Sequence, residues 1–390
     1  MSTNFRLPLK LTSVFVSAIL LLGCDDPTDV GRSLVDAQAG ETSVTTLNAS
    51  TLESNSIGDI TGGNAASGAV RVLAGVVQDP VAGRIESTGF MDFVPSSQFE
   101  STFLNNTVDF AELQLSIDYV YGDSTLPVTF ELLAVSHDWT STFTRADTTI
   151  LTGDPILVTT IPSIEGKHTV EFPQEWIASN DALLRSSTFV DDFHGFALRQ
   201  VSGNAILGAR FSESIIRASS APGDTVSFSL SKVISTAAEP DAPTSSDHVL
   251  LRDGSAKGLD LRFSFEGESF PEAMIHRVLM RFNTIDLSNQ YPETFARPEV
   301  TLVGLRAVSE DGGSRLDIAE VIINADGSFA FDNTSLTNVV QTANLGKSVL
   351  DRFELYLPVT QSGVGYLAIE KDLTHSENYP RALVTLTPIN

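Results

Sequence analysis

The sequence predicts an all-β protein, with two tandem antiparallel β-sandwich domains behind an N-terminal leader and a flexible tether. Three observations predict it. From Val70 onward, short apolar runs alternate with turn residues at fairly regular spacing, the texture of a sandwich rather than of packed helices. Val108–Tyr121 has a period of two: Leu113, Leu115, Ile117, Tyr119 and Tyr121 fall on one side, Glu112, Gln114, Ser116 and Asp118 on the other. That is the pattern of a strand with one buried face. Helical signal is sparse. There is no heptad repeat and no alternation of strand with helix, which argues against a Rossmann fold or an α/β barrel.

Residues 1–23 read as a lipoprotein signal peptide. Arg6 and Lys10 form a positive start, Leu11 to Leu22 an apolar run too short to span a bilayer, and Gly23 a small residue before Cys24. Cys24 is the only cysteine in the chain, so it has no internal disulfide partner. Its place directly after the apolar run selects lipidation, and several acyl chains on one residue would anchor stably. Residues 24–66, polar and rich in Ser, Thr, Ala and Gly, read as the lipidated Cys and a flexible tether, with one strand near Ser43–Leu47. Residues 67–240 form the first sandwich. Its strands are Val108–Tyr121, then Pro127–Ser136 after the turn Gly122-Asp123, then Phe193–Val201, Ala205–Phe211 and Thr225–Val233. Pro173 opens a short helix through Trp176, with proline in its first turn. Residues 247–390 form the second sandwich, with a second short helix within Ser335–Leu350. As an independent domain this segment would fold alone.

A weak internal duplication relates the halves. Val72–Gly75 matches Val249–Arg252, and the strand Val108–Tyr121 matches Met274–Ile285. The segments around Trp176 and Val339 match, and so do Phe196–Leu198 and Phe353–Leu357. The closing strand Thr225–Val233 matches Arg381–Ile389.

Charge and motifs mostly exclude. With 49 acidic against 24 basic residues the net charge is −25, and the leader removes only bases. A nucleic-acid partner is excluded on this ground, because phosphate backbones are bound through clustered Lys and Arg. The dispersed charge reads as a solvated surface. There is no His-Glu-x-x-His, no cysteine pair, no Gly-x-Ser-x-Gly elbow and no Gly-x-x-x-x-Gly-Lys-Ser/Thr loop. His137-Asp138 beside Trp139 is the one arrangement with the look of a site, and polar turn residues before a buried Trp explain it equally well. His276 reads as structural. No cofactor is implied. Structural calcium is a candidate at the acidic loop tips Asp191-Asp192, Glu310–Gly313 and Asn324–Gly327. Trp139 and Trp176 are the candidate ligand-binding residues, as the two large aromatics that a sandwich could expose.

Two resemblances follow from short motifs. The segment Cys24 to Trp139 resembles a family of uncharacterised lipoproteins of Bacteroidota-type bacteria. The matching residues are Cys24-Asp25-Asp26, Val30-Gly31, Gly75 through Asp79-Pro80-Val81-Ala82-Gly83, and Val108 through Tyr121-Gly122-Asp123. The family usually has Phe where Ala82 stands, and it carries no assigned activity. Each half is also similar to secreted jelly-roll modules found beside carbohydrate-active domains, through Ser136–Thr140, Gln174-Glu175-Trp176 and Pro380–Thr385. The resemblances imply a jelly-roll-like sandwich in each half and an outer-membrane location, with the exposed leaflet left open. The signal-peptide reading makes membrane lipid a partner through acylated Cys24, and the expected macromolecular partner is an outer-membrane protein complex or a polysaccharide. The expected role is a non-enzymatic binding or assembly module, ahead of a carbohydrate-binding lipoprotein and, last, a glycan-active enzyme. Intact-mass measurement of protein extracted from membranes should find position 24 acylated and residues 1–23 absent, and Cys24→Ser should abolish both. A bare Cys24 with the leader attached would overturn the anchor.

Overall fold

The structure, a computed structural model, describes residues 41–54, 60–64, 69–141, 152–220, 223–238, 245, 247–253, 258–265, 270–310, 314–347, 350–358, 363–371 and 379–389. Cys24 and the leader lie outside the described residues. The fold is all-β and its sheets are antiparallel.

Three short strands come first: β1 (Ser43–Asn48), β2 (Thr51–Ser54) and β3 (Ile60–Asn64). The first unit follows. It contains β4 (Arg71–Asp79), β5 (Gly83–Pro95), β6 (Val108–Asp123), β7 (Val128–Val135), β8 (Thr152–Ile161), β9 (Gly166–Glu171), β10 (Phe196–Ser202), β11 (Ala205–Arg210), β12 (Ile215–Ser220) and β13 (Asp224–Ala238), with helices α1 (Ser101–Asn105), α2 (Gln174–Leu184) and α3 (Phe189–Asp192). The second unit contains β14 (His248–Arg252), β15 (Leu259–Arg262), β16 (Ala273–Asn283), β17 (Phe295–Ala296), β18 (Leu302–Ser309), β19 (Arg315–Ile322), β20 (Ser328–Phe331), α4 (Thr334–Asn344), β21 (Leu350–Tyr356), β22 (Tyr366–Glu370) and β23 (Arg381–Pro388).

In the first unit the long strands β5, β6 and β13 exchange partners along their length. β13 pairs with β12 through its first half and with β5 further on. β6 pairs with β12 and then with β11. The sheet therefore folds over, and the pairings β4–β5–β13–β12–β6–β11–β4 close a ring. Inside it lies a core rich in phenylalanine, including Phe93, Phe103, Phe130, Phe189, Phe196 and Phe228, all at most 1% exposed. In the second unit the sheet β1-β23-β16-β20 and the sheet β19-β18-β21-β15-β2 share one core, with Val278, Met280 and Phe282 from β16 and Phe353 and Leu355 from β21.

The two units share many pairings, although β14 and β22 form a two-stranded sheet of their own where β4 and β11 join the larger one. β6 with β9 and β12 corresponds to β16 with β20 and β23. β10 with β5 and β7 corresponds to β21 with β15 and β18. β7 with β8 corresponds to β18 with β19, and β4 with β11 to β14 with β22. Each has a helix, α2 or α4, just before the β10 or β21 position. The sequence alignment of the final strands is corrected by one element. β23 pairs with β16 as β12 does with β6, so Arg381–Pro388 answers to β12 and not to β13.

The place of β13 is filled in the second unit by β1 and β2. β1 pairs with β23 from Ser43↔Leu386 to Asn48↔Arg381, and β2 pairs with β15 from Thr51↔Arg262 to Ser54↔Leu259. Together they repeat what one continuous β13 does against β12 and β5. The reading of residues 24–66 as a free tether is therefore corrected for 43–54. Ala49 and Leu52 are buried in the second core. The strand near Ser43–Leu47 is present, but its Ser and Thr side chains face mostly outward, and Val44 is 63% exposed. Little hydrophobic pattern therefore marks it. β3 then pairs with β13 of the first unit, so this segment is stitched into both units.

A fragment of residues 247–390 alone lacks the strand that covers β15 and β23. It is expected to give no cooperative melt by circular dichroism, and a peptide of residues 41–54 added in trans should restore one. A cooperative melt of the bare fragment, unchanged by the peptide, would refute the composite sandwich.

Candidate functional site

The sequence-nominated residues are placed first. Trp139 is 5% exposed. Its indole Nε1 donates to the His194 carbonyl at 2.8 Å, Phe90 meets it edge-on at 6.3 Å, and the Lys232 ammonium sits 4.7 Å from its ring centroid. Trp176, half-buried on α2, stacks on Phe172 at 4.2 Å and packs toward Phe196 at 5.8 Å. The burial of Trp139 leaves no exposed aromatic face there, a correction to its expected exposure, while Trp176 stays partly exposed. Each lies where a strand or helix end must be plugged by something large. Asp138 pairs with Lys232 at 2.9 Å and His137 Nδ1 contacts the Ser136 hydroxyl at 2.7 Å, so the two neighbours face different partners. His276 contacts the Thr387 hydroxyl at 2.9 Å. Of the calcium candidates, Asp192 accepts from the Thr188 hydroxyl at 2.6 Å and Asp326 from the Ser328 amide and hydroxyl at 2.9 and 2.6 Å. Residues 311–313 lie outside the described residues. Among the described residues no three metal-capable side chains gather.

What the structure does gather is a joint between the two units, and the bend that makes it lies in β6. Leu113, Leu115 and Ile117 point into the first core as the alternation predicts. A bulge opposite Gly208/Ala209 then shifts the register between Ile117 and Tyr119. One extra residue reverses the alternation. Val120 takes over in the first core, and Tyr119 and Tyr121 swing into a separate cluster between the units. The expectation that both tyrosines share the face of Leu113 is corrected on this ground. Gly122 follows with φ +129°, and a Cβ there would come within 2.3 Å of the Asn204 carbonyl oxygen, so only glycine serves.

At the centre of the joint is Asp79, 5% exposed. It ends β4 and starts the turn to β5, closed by Gly83 at φ 79°. Its Oδ1 accepts the amides of Val81 and Ala82 at 2.7 and 2.6 Å, which builds the turn. The same carboxylate receives three tyrosine hydroxyls. Tyr121 donates to Oδ2 at 2.5 Å, Tyr291 to Oδ1 at 3.1 Å, and Tyr366 to Oδ1 at 3.3 Å. Tyr121 belongs to the first unit, Tyr291 and Tyr366 to the second. A buried charge is costly unless hydrogen-bonded, and here five donors from both units meet it. Burial first, and then the Asp79 charge, push the Tyr121 and Tyr291 hydroxyls above their ordinary value of 10.0. They remain donors across the ordinary pH range.

The second unit reaches the joint through residues 284–301, which link β16 to β18. The matching link in the first unit, between β6 and β7, is only 124–127. Within this longer link Asp286 accepts from the Ser288 amide at 2.8 Å, starting a short turn that delivers Tyr291. β17 then pairs Phe295 with Asp123 and Ala296 with Gly122, extending β6 across the boundary. Phe295 meets Tyr121 edge-on at 5.6 Å. Arg297 comes next, its guanidinium 4.6 Å from the centroid of Tyr291 and 4.8 Å from that of Tyr366. Beside these residues opens a cleft of about 810 Å³, lined by Tyr291, Arg297, Tyr366, Asp286, Ser288 and Asn324 among others.

Sequence reasoning named Asp79 and Tyr121 only inside motifs and missed Tyr291, Arg297 and Tyr366. Tyrosine scarcity was the available signal: of the six in the chain, Tyr119, Tyr121, Tyr291 and Tyr366 collect here.

No family model and no curated protein matches the chain. A chain of the Macrobrachium rosenbergii nodavirus structure aligns over 100% of this chain and 97% of its own, at 12% identity and a TM-score of 0.14, a likeness that carries no argument.

Asp79→Ala should cost roughly 2–5 kcal/mol in urea unfolding, since buried donors lose their acceptor. The joint also sets an alkaline limit. Unfolded tyrosines lose their protons first, so the stability held below pH 10.0 should be lost progressively as pH rises toward the raised folded values. Tyr291→Phe should flatten that decline. An alkaline limb of unchanged slope would count against the joint.

Proposed function

We propose that this chain is a lipid-anchored, non-enzymatic binding module of the cell envelope, held at the outer membrane through acylated Cys24. The observation that carries the reading is the joint. The longer link 284–301 is absent from the first repeat. It locks the two sandwiches together and shapes the cleft beside them. Sites are commonly grafted onto repeated scaffolds through such links. The non-enzymatic part is supported by the chemistry of Asp79. Both its oxygens are engaged by hydroxyl and amide donors, so this carboxylate has structural work and no free lone pair aimed at the cleft. The resemblance to the uncharacterised lipoprotein family gains a physical sense here. Its Asp-Pro-x-x-Gly and Tyr-Gly-Asp elements supply Asp79, Gly83, Tyr121 and Gly122, which meet at one point. A protein complex of the outer membrane is the first reading of the partner. A polysaccharide is the second, favoured by the polar lining of the cleft.

The test is capture of the tagged full-length protein from native membranes, with a photo-crosslinker placed at Glu293 on the cleft rim and, as control, at Lys347 in the turn after α4. The outer-membrane fraction should carry the protein. Glu293 should capture one defined partner, chemically unchanged, that Lys347 does not. Equal capture from both positions, or a partner that is consumed, would overturn the reading.

A further inference from the structure

We propose that the cleft beside the joint binds a carboxylate-bearing sugar, with Arg297 receiving the carboxylate. This deepens the binding reading above and rests on it. Arg297 is held unusually well for a cation in an open cleft. Two tyrosine rings flank its guanidinium at 4.6 and 4.8 Å, and Nη2 donates to the Tyr366 carbonyl at 3.3 Å. The flanking tyrosines are themselves fixed by Asp79, so the guanidinium plane is set by the same carboxylate that joins the units. Among the described residues no carboxylate forms an ion pair with it. Asp286 feels its charge only weakly, being held low first by its hydrogen bonds from Ser288. Many other arginines are taken up by carboxylates, as Arg71 is by Asp118, Arg185 by Asp181 and Arg262 by Asp351. Arg297 lines the cleft with one guanidinium nitrogen on the Tyr366 carbonyl, and no hydrogen bond is made by its other nitrogens among the described residues. A planar, pre-organised fork of this kind matches a carboxylate.

The rest of the lining decides what carries that carboxylate. Asp286, Ser288, Glu299 and Asn324 are hydrogen-bonding groups, and most of them accept. A ligand must therefore bring donors of its own, with its negative charge spaced at no more than one carboxylate per ring, since the acids would repel a densely charged polyanion such as polyphosphate. A sugar ring with one carboxylate and several hydroxyls meets both demands. The volume, about 810 Å³, lies within the roughly 300–1,000 Å³ of small-ligand sites. The faces of Tyr291 and Tyr366 are occupied by Arg297, so recognition here does not need an exposed aromatic platform.

Calorimetric titration of the full chain provides the test, with trigalacturonate and trimannuronate as probes, their methyl esters as uncharged counterparts, and succinate as a carboxylate without the sugar. At least one free-acid trisaccharide should bind, and its ester at least about tenfold more weakly. Arg297→Gln should weaken the free acid by a similar factor with an unchanged thermal melt, and Arg297→Lys should fall between, as a point charge without the fork. The ester comparison needs no variant and stands even where a substitution disturbs folding. Equal binding of acid and ester, equal binding of succinate, or no binding of either trisaccharide would overturn the proposal. In the last case, continued capture of a protein partner at Glu293 would leave the broader binding reading intact. Cleavage of a bound trisaccharide would keep the Arg297 site and overturn the non-enzymatic reading.

Discussion

One buried carboxylate organises this molecule. Asp79 shapes its own turn with two amide bonds and then accepts tyrosine hydroxyls from both units. A carboxylate at 5% exposure would be expelled from an apolar interface unless its lone pairs were met, because desolvating a charge costs several kcal/mol. Meeting them requires donors at set distances and angles, which a greasy contact does not. The apolar residues around it, such as Val77, Ile85, Ile206 and Leu250, supply cohesion without direction, and Asp79 supplies the direction. The tyrosines suit the task since each buries a ring and still offers a hydroxyl.

The repeat gives that joint its setting. Two units with matching pairings stand side by side, yet their long strands behave differently. β6 bends through a bulge and hands Tyr119 and Tyr121 to the boundary. β16 continues instead into the longer link that carries Tyr291, Phe295 and Arg297. The two repeats thus contribute to the boundary by different means: a register shift in one, an insertion in the other. The insertion is also what leaves a concavity on the second unit.

The all-β class, the main strands and both short helices were legible because they rest on local pattern. Val108–Tyr121 alternates, and apolar runs are punctuated by turn residues. The joint was not legible because its parts lie far apart in sequence and none has a periodicity. Asp79 looks like an ordinary turn residue, and Arg297 like an ordinary surface cation between Ala296 and Pro298. The bulge in β6 left no mark either, for Tyr119 and Tyr121 keep the two-residue rhythm in sequence while the backbone steps out of it. Trp139 misled for the opposite reason. Its size and rarity draw attention, and burial beside Phe90 is where that size is used. The strand near Ser43–Leu47 was legible, but its docking on the second unit and the strand Thr51–Ser54 were not, because a strand covering a sheet edge can be built from Ser and Thr when only its occasional side chain, such as Leu52, faces inward.

That covering strand has a consequence for how the chain reaches its final state. Thr42 touches Thr387 across 345 residues of sequence, and β1 zips along β23 at comparable separation. The ribosome delivers the amino end first, so β1, the first of the described strands, must idle until β23 arrives. Contacts of such long range form slowly, and an idle strand is an invitation to the wrong neighbour. Closure of this clasp is the step at which the molecule stops being a growing polymer and becomes a finished object.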